Sequence, residues 1–176
     1  MRRQRISAVL CGLVLALGAA AVAPASAQQA SMKGTFALNR QASDNVHQAI
    51  ERAVARLNFV TRPIARGRLR KTNVPYERVV IDFNTSQVRV TRDNLPAIVT
   101  PANGTPTPWT REDGERFDVS TEWENGRLEQ TFRAEDGQRV NVFTISEDGR
   151  TLTMDVTITS PRLENPLRYK LVFDRA

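Results

Sequence analysis

Apolar residues along the chain follow two different spacings. From Val46 to about Phe59 they recur every three or four positions, which predicts an amphipathic helix, and Asn45 stands where it can cap the first turn. From Tyr76 onwards apolar and polar residues alternate, as they do in half-buried strands. We therefore expect a helical insert, about residues 44–71, followed by a long succession of strands.

Shorter segments complete this pattern. Residues 34–39 alternate and predict the first strand, and Pro63 suits the first turn of a second helix over residues 64–71. Residues 93–108 are rich in proline, which has no N–H group to donate to a sheet. At most a short edge strand, at 97–100, is therefore expected in that segment.

Three dipeptides typical of two-residue hairpin turns separate alternating segments in the second half of the chain. These dipeptides are Asn125-Gly126, Asp136-Gly137 and Asp148-Gly149. Counting outwards from each turn predicts the opposite pairs Trp123 with Leu128, Thr121 with Gln130, Val119 with Phe132, Phe132 with Asn141, Gln130 with Phe143, Ile145 with Leu152, Phe143 with Met154, and Asn141 with Val156. All of these residues fall on one face across four strands.

A meander with one dry face must bury that face, and closure into a barrel also removes the exposed edges. A last alternating segment, residues 167–173, continues the pattern. The expected fold is therefore mainly β, an antiparallel meander that closes into a barrel of about eight to ten strands, with a helical insert after the first strand.

This order of elements resembles the calycin barrels, which include the lipocalins and the fatty-acid-binding proteins. Gly34-x-Phe36 stands where that group usually has Gly-x-Trp, and the helical pair after the first strand is similar to the lid of fatty-acid-binding proteins. The resemblance implies that Arg175 lies over Phe36 at the barrel floor. The carboxylate-binding Arg-x-Tyr of the group is not matched, because Arg168 directly precedes Tyr169. The end of the chain is also similar to that of secreted bacterial proteins for which no activity is implied.

Polar residues share the dry face with aromatic ones. A small barrel is either filled by its own side chains or holds one small ligand, and a few polar groups in an apolar cavity are typical of a small-molecule site. We expect the ligand-binding residues to be Thr121, Trp123, Gln130, Phe132, Asn141, Phe143, Met154 and Tyr169. The alternative is that Gln130 and Asn141 form hydrogen bonds with each other or with buried water.

Positive charge is concentrated in the helical insert. From Arg52 to Tyr76 there are seven basic residues and no acid, namely Arg52, Arg56, Arg62, Arg66, Arg68, Arg70 and Lys71. This surface predicts contact with anionic lipid headgroups, with lipopolysaccharide phosphates or with an anionic ligand at the barrel mouth. The alternative is a solvated surface that pairs with the acidic outside of the sheet. A nucleic-acid partner is not expected for an exported protein.

Residues 1–27 have the organisation of a secretory signal peptide. A basic start and an apolar stretch, residues 6–23, precede the small-x-small cleavage motif Ala25-Ser26-Ala27. An uncleaved anchor is the alternative. Cleavage would leave a single domain of residues 28–176, located in the periplasm or outside the cell, with no transmembrane helix. It would also remove Cys11, the only cysteine, and three of the 25 basic residues, so the mature formal charge becomes +3.

The remaining composition gives little support for catalysis or for a metal site. His47 is the only histidine, and cleavage leaves no thiol, so no metal, cofactor or catalytic residue is expected. The sequence has no nucleophile elbow, phosphate loop or dinucleotide fingerprint. We predict a secreted, non-enzymatic barrel that binds a small apolar or amphiphilic ligand. The alternative is an envelope-associated interaction protein with a filled barrel and a basic docking surface.

Overall fold

The computed structural model describes residues 29–176, so the predicted signal peptide and Cys11 lie outside the described residues. Ten strands and two helices occur in the order β1 (Gly34–Leu38), α1 (Val46–Val54), α2 (Thr61–Thr72), β2 (Arg78–Phe83), β3 (Gln87–Arg92), β4 (Ile98–Pro101), β5 (Thr107–Thr110), β6 (Arg116–Glu124), β7 (Arg127–Ala134), β8 (Gly137–Ile145), β9 (Thr151–Thr159) and β10 (Leu167–Arg175). The expected mainly β class with a helical insert after the first strand is confirmed.

All ten strands belong to one antiparallel sheet, in the order β4-β3-β2-β1-β10-β9-β8-β7-β6-β5. The first and last strands of the chain pair with each other, and Phe36 lies opposite Arg175. The two ends of the sheet, β4 and β5, come together beside β6, where Asn103 and Glu122 form an isolated bridge. The sheet is therefore curled into a nearly closed barrel, with a seam between β4 and β5.

Two of the three predicted hairpin registers are confirmed. Thr121 lies opposite Gln130, and Phe143 lies opposite Met154. The register around Asp136-Gly137 is wrong by two residues, because Gln130 pairs with Asn141 instead of Phe143.

The loop of that third hairpin consists of Glu135 and Asp136, and β8 already begins at Gly137. A Cβ atom on Gly137 would lie 2.7 Å from the carbonyl oxygen of Thr159, so glycine is needed there for the close approach of β9 and not for the turn. Phe132 consequently faces Arg139 and not Asn141. A shift of two residues leaves every side chain on its predicted face.

The helices differ from their predicted limits at the junction between them. The side-chain oxygen of Asn45 accepts a hydrogen bond from the Gln48 N–H, at 3.1 Å, so the predicted cap of α1 is confirmed. The first helix ends at Val54 and not near Phe59, and Asn58 accepts hydrogen bonds from the Val60 and Thr61 N–H groups in the turn before the second helix. The second helix therefore starts three residues earlier than predicted.

The proline-rich segment holds one strand more than predicted. The edge strand predicted at 97–100 is present as β4, and β5 follows it. Pro108 is tolerated in β5 because this strand ends the sheet, so a missing N–H donor on its open side breaks no hydrogen bond of the ladder.

Apolar side chains fill one end of the barrel, the floor, which lies near the first residues of β1. Phe36, Phe143 and Phe173 are almost fully buried there, together with aliphatic residues of β7, β8 and β9. The guanidinium of Arg175 lies 4.6 Å from the centre of the Phe36 ring, which confirms the predicted floor contact. Its Nε donates a hydrogen bond to the carbonyl of Gly149, at 2.6 Å.

The two helices cover the opposite end of the barrel. α1 buries one apolar face, including Ile50 and Val54, and packs against β10. α2 buries none of its residues. In the part of the chain that the structure describes, no helix combines the length and the apolar character that crossing a membrane requires.

Candidate functional site

A cavity of about 580 Å³ lies between α2 and the upper ends of the strands. Its walls are mainly apolar and come from both the helical insert and the sheet. The apolar side chains at the cavity include Leu57, Ile64, Leu69, Trp109, Phe117, Phe132 and Ile158. The volume falls in the range of about 300–1,000 Å³ that is usual for small-molecule sites.

Two half-buried arginines reach this apolar cavity from the sheet. Arg92 has the same parity as the buried Val88 and Val90 of β3, so its side chain faces the barrel interior. Arg139 has the same parity as Asn141 and the other inward residues of β8, so its side chain also faces the barrel interior. Both arginines line the cavity.

Aromatic rings surround the guanidinium of Arg92. Its central carbon lies 5.1 Å from the ring centre of Tyr76, 5.4 Å from that of Trp109 and 6.0 Å from that of Phe132. Its Nη1 donates a hydrogen bond to the Tyr76 hydroxyl, at 2.9 Å, whereas its buried Nε has no partner. The rings favour a cation there without neutralising its charge.

Amide oxygens hold the second arginine. Arg139 donates from Nε to Oδ1 of Asn141, at 2.8 Å, and from Nη1 to Oδ1 of Asn73, at 3.2 Å. The same Asn73 oxygen accepts a hydrogen bond from the Tyr169 hydroxyl, at 3.0 Å. Asn73 itself follows α2 directly and donates to the carbonyl of Leu69, so the helix end, β8 and β10 meet at one amide.

None of the ion pairs between described residues includes Arg92 or Arg139. The two acids that line the cavity have other partners: Glu115 pairs with Arg68 and Arg111, and Asp136 pairs with Arg68 and Arg162. A positive charge that has lost part of its water needs a compensating anion. The cavity therefore combines apolar walls with two positive charges that form no ion pair with a carboxylate of the described residues.

The pKa values of the two tyrosines beside these arginines are shifted in opposite directions. Burial raises the pKa of Tyr76, but the charges of Arg139 and Arg92 and the hydrogen bond from Arg92 outweigh it, so its pKa lies below 10.0. Burial also raises the pKa of Tyr169, and the lowering by Arg139 does not offset it, so that pKa lies above 10.0.

The two tyrosines are the only ones in the chain, so an alkaline titration followed at the absorbance of tyrosinate reports both. We expect two separate steps, the first from Tyr76 and the second from Tyr169, because the guanidiniums stabilise the Tyr76 anion. The Tyr76→Phe variant should lose the first step and keep the second. A single step near pH 10, or loss of the later step in that variant, would contradict this assignment.

The eight predicted ligand-binding residues take different places in the barrel. Phe132 lines the cavity, and Tyr169 and Asn141 contact the amide and guanidinium groups described above. Phe143 and Met154 lie in the apolar core. Gln130, Thr121 and Trp123 stand deeper along the wall, and the Trp123 ring packs edge-on against Phe83, with centres 5.1 Å apart.

Gln130 and Thr121 are fully buried, and their side-chain polar atoms have no hydrogen-bond partner. Gln130 lies opposite Asn141, but the two amides form no hydrogen bond with each other. The Asn141 oxygen accepts from Arg139, and the Asn141 Nδ2 and both polar atoms of Gln130 have no partner. A role in ligand binding for all eight predicted residues stays a prediction.

Four of the seven basic residues of the insert contact protein acceptors. Arg66 and Arg70 pair with Glu51 of α1, at 2.8 Å each, and Arg68 pairs with two acids on the cavity rim. Arg62 donates to the carbonyls of Ala55 and Leu57 and so joins the two helices. The other three residues form no such contact with the described part of the chain and could still bind the anionic partner predicted for the basic surface of the insert. These residues are Arg52, Arg56 and Lys71.

The residues that sequence reasoning missed are Arg92, Arg139, Tyr76 and Asn73. The alternation of β3 and β8 contains the signal for the two arginines, because each continues the inward parity of its strand. Tyr76 and Asn73 lie between α2 and β2, where no periodic pattern indicates a direction. Within residues 29–176 no three acidic, histidine or cysteine side chains are placed to hold a metal ion.

No known family model matches the sequence, and no curated protein matches it. Solved structures do resemble the fold. A Schistosoma mansoni fatty acid binding protein in complex with arachidonic acid is 16% identical, with a TM-score of 0.53 over 85% of this chain and 98% of that chain. The REP1-NXSQ fatty acid transporter is 11% identical, with a TM-score of 0.54 over 84% and 97%.

A secretary abundant heat soluble protein from Ramazzottius varieornatus is 8% identical, with a TM-score of 0.59 over 83% of this chain and 96% of that chain. Identities this low show the fold and nothing further. The likeness confirms the calycin-like barrel that the order of elements predicts.

Proposed function

We propose that this barrel is a non-enzymatic binding protein that holds a small amphiphile, with one anionic group and an apolar tail, in the cavity beneath α2. The observation that carries the proposal is the pair of half-buried arginines, Arg92 and Arg139, which line an apolar cavity without a carboxylate partner. A ligand anion would supply the missing counter-charge, and charge-assisted hydrogen bonds to guanidinium groups are among the strongest that proteins form.

The tail would occupy the apolar part of the same cavity. Leu57, Ile64 and Leu69 face it from the helical insert, and Trp109 and Phe117 face it from the sheet. Burying apolar tail surface contributes about 25 cal/mol per Å². The neighbouring folds described as fatty acid binding and fatty acid transporting proteins support a ligand of this class.

Two further parts of the proposal concern catalysis and location. Binding without turnover is favoured because the described cavity lining contains no histidine and no cysteine. A periplasmic or extracellular location is favoured by the signal-peptide pattern of residues 1–27.

Docking to an anionic envelope surface is the weaker proposal, because four of the seven basic side chains are engaged within the protein. The docking proposal is supported by exposed apolar side chains near the basic residues of the insert, among them Phe59, which is 87% exposed.

Titration of the purified protein with dodecanoate tests the proposal, with binding followed by calorimetry and by tryptophan fluorescence. The chain has two tryptophans, and only Trp109 lines the cavity. We expect dodecanoate to change the emission of the Trp123→Phe variant, in which Trp109 reports. The Trp109→Phe variant should show little change.

Absence of both a binding heat and an emission change would overturn the proposal. Native mass spectrometry of protein from the periplasmic fraction of an expressing host adds a check on the cargo and on the processed terminus. A bound amphiphile and an intact mass that begins at Gln28 are the expected results.

A further inference from the structure

The acceptors around Arg139 are neutral, although a carboxylate would bind a guanidinium more strongly. Asn141 and Asn73 each offer an amide oxygen to it, at 2.8 Å and 3.2 Å. The hydroxyl of Tyr169 donates a hydrogen bond to the Asn73 oxygen. An amide oxygen orients the guanidinium by a hydrogen bond but adds no negative charge, so the positive charge of Arg139 stays available to a ligand.

Asn141 shows that this arrangement has a cost to the fold. Its side chain is fully buried, and its Nδ2 has no hydrogen-bond partner. A buried donor without an acceptor is unfavourable, so an apolar residue would suit this part of the wall better. The Asn141 side chain forms one hydrogen bond, which its oxygen accepts from Arg139. Within the described residues, the contact with Arg139 is thus the one that this amide orients.

We propose that Asn141 and Asn73 are positioning residues that fix Arg139 without neutralising it, and that this gives the cavity its preference for anionic over neutral amphiphiles. The inference rests on the proposed function and adds to it the residues that decide head-group selectivity. Arg92 contributes the second charge, and its aromatic surroundings are neutral as well.

The Asn141→Asp substitution is the sharpest test, because the new carboxylate keeps the oxygen that contacts Arg139 and sacrifices no existing hydrogen bond. The internal carboxylate would take the place of the ligand anion. We expect the affinity for dodecanoate to fall by about ten- to a hundredfold, the range that one charge-assisted hydrogen bond supplies. The affinity for dodecan-1-ol, which has the same tail and no charge, should not change.

The Asn141→Leu variant is the matched control, because it removes the acceptor but leaves the charge of Arg139 and its contact with Asn73. Its affinity for dodecanoate should fall less than that of Asn141→Asp. Equal losses in the two variants, or an equal loss for the acid and the alcohol, would overturn the inference and leave the proposed function standing. Failure of the unsubstituted protein to bind dodecanoate would overturn both.

The tyrosine titration gives a readout without any ligand. A carboxylate at position 141 would offset the charge of Arg139, so the Tyr76 step should move to higher pH in Asn141→Asp and stay in place in Asn141→Leu. If Asn141→Asp does not fold, Asn73→Asp places the same charge beside Arg139 from the other side. An unchanged Tyr76 step together with unchanged dodecanoate affinity in a folded Asp variant would contradict the inference.

Discussion

Replacing both cavity arginines with methionine, in the double variant Arg92→Met/Arg139→Met, is expected to lower the affinity for dodecanoate by at least about a hundredfold. Each guanidinium can form a charge-assisted hydrogen bond worth about 1.5–3 kcal/mol, and every 1.4 kcal/mol is a factor of ten. The affinity for dodecan-1-ol should not fall, because methionine preserves the apolar walls. Calorimetric titration with the two ligands measures both effects.

The same double variant should lose no more than about 1–3 kcal/mol of unfolding free energy when no ligand is present. Loss of Arg139 leaves the buried Asn141 oxygen without a donor, but removal of two partly desolvated charges that have no carboxylate partner offsets part of that cost. Chemical denaturation of the ligand-free protein measures this. A loss of several kcal/mol would show that the two charges are already compensated within the fold.

Arg89→Met/Arg133→Met is the matched control, because these two arginines lie on the outer faces of β3 and β7 and the variant removes the same total charge. It should bind dodecanoate as the unsubstituted protein does. An equal loss of affinity in the control pair would indicate a long-range effect of net charge and not a site in the cavity.

The Phe143→Ala substitution is expected to have the largest effect on stability, a loss of about 3–5 kcal/mol in the free energy of unfolding. The Phe143 side chain is 1% exposed and lies in the apolar core beside Met154. Truncation leaves a void that the neighbouring strands cannot fill without breaking their register. Urea denaturation measures the loss.

Phe59→Ala is the control for this substitution, since the Phe59 ring is 87% exposed and its removal should change the free energy of unfolding by less than about 0.5 kcal/mol. The affinity of folded Phe143→Ala protein for dodecanoate should be unchanged, because Phe143 does not border the cavity. A small loss of stability with a large change in affinity would instead support the role in ligand binding that the sequence predicts.

Periodicity explains why the barrel could be predicted from the sequence and the cavity could not. Alternation assigns each side chain to a face, and an error of two residues at Asp136-Gly137 leaves that assignment unchanged. The predicted interior positions of Trp123 and Phe143 are therefore correct. Alternation does not reveal how far along the barrel axis the interior is filled, and this decides that the cavity borders Phe132 and not Phe143.

The arginines were missed for a different physical reason. A charged residue near a strand end is usually solvated, so the sequence pattern does not place Arg92 and Arg139 on the inward face although their parity agrees with it. Their position becomes meaningful only when Tyr76 and Asn73, from the segment between α2 and β2, close around them. Contacts of this kind depend on tertiary structure and leave no pattern within a single element.

Because α2 has no fully buried residue, the free energy needed to move this helix is largely separate from the free energy needed to disrupt the sheet. Ion pairs at its rim, such as those of Arg68, can break in water at little net cost, and the α2 side chains that pack against the core, Ala65 and Leu69, are only partly buried. Movement of this helix would break these contacts and the contact of Asn73 with Arg139, but no hydrogen bond between strands. If the cavity holds a ligand as proposed, entry and release would require movement of α2 and its contacts but would leave the strand ladder intact.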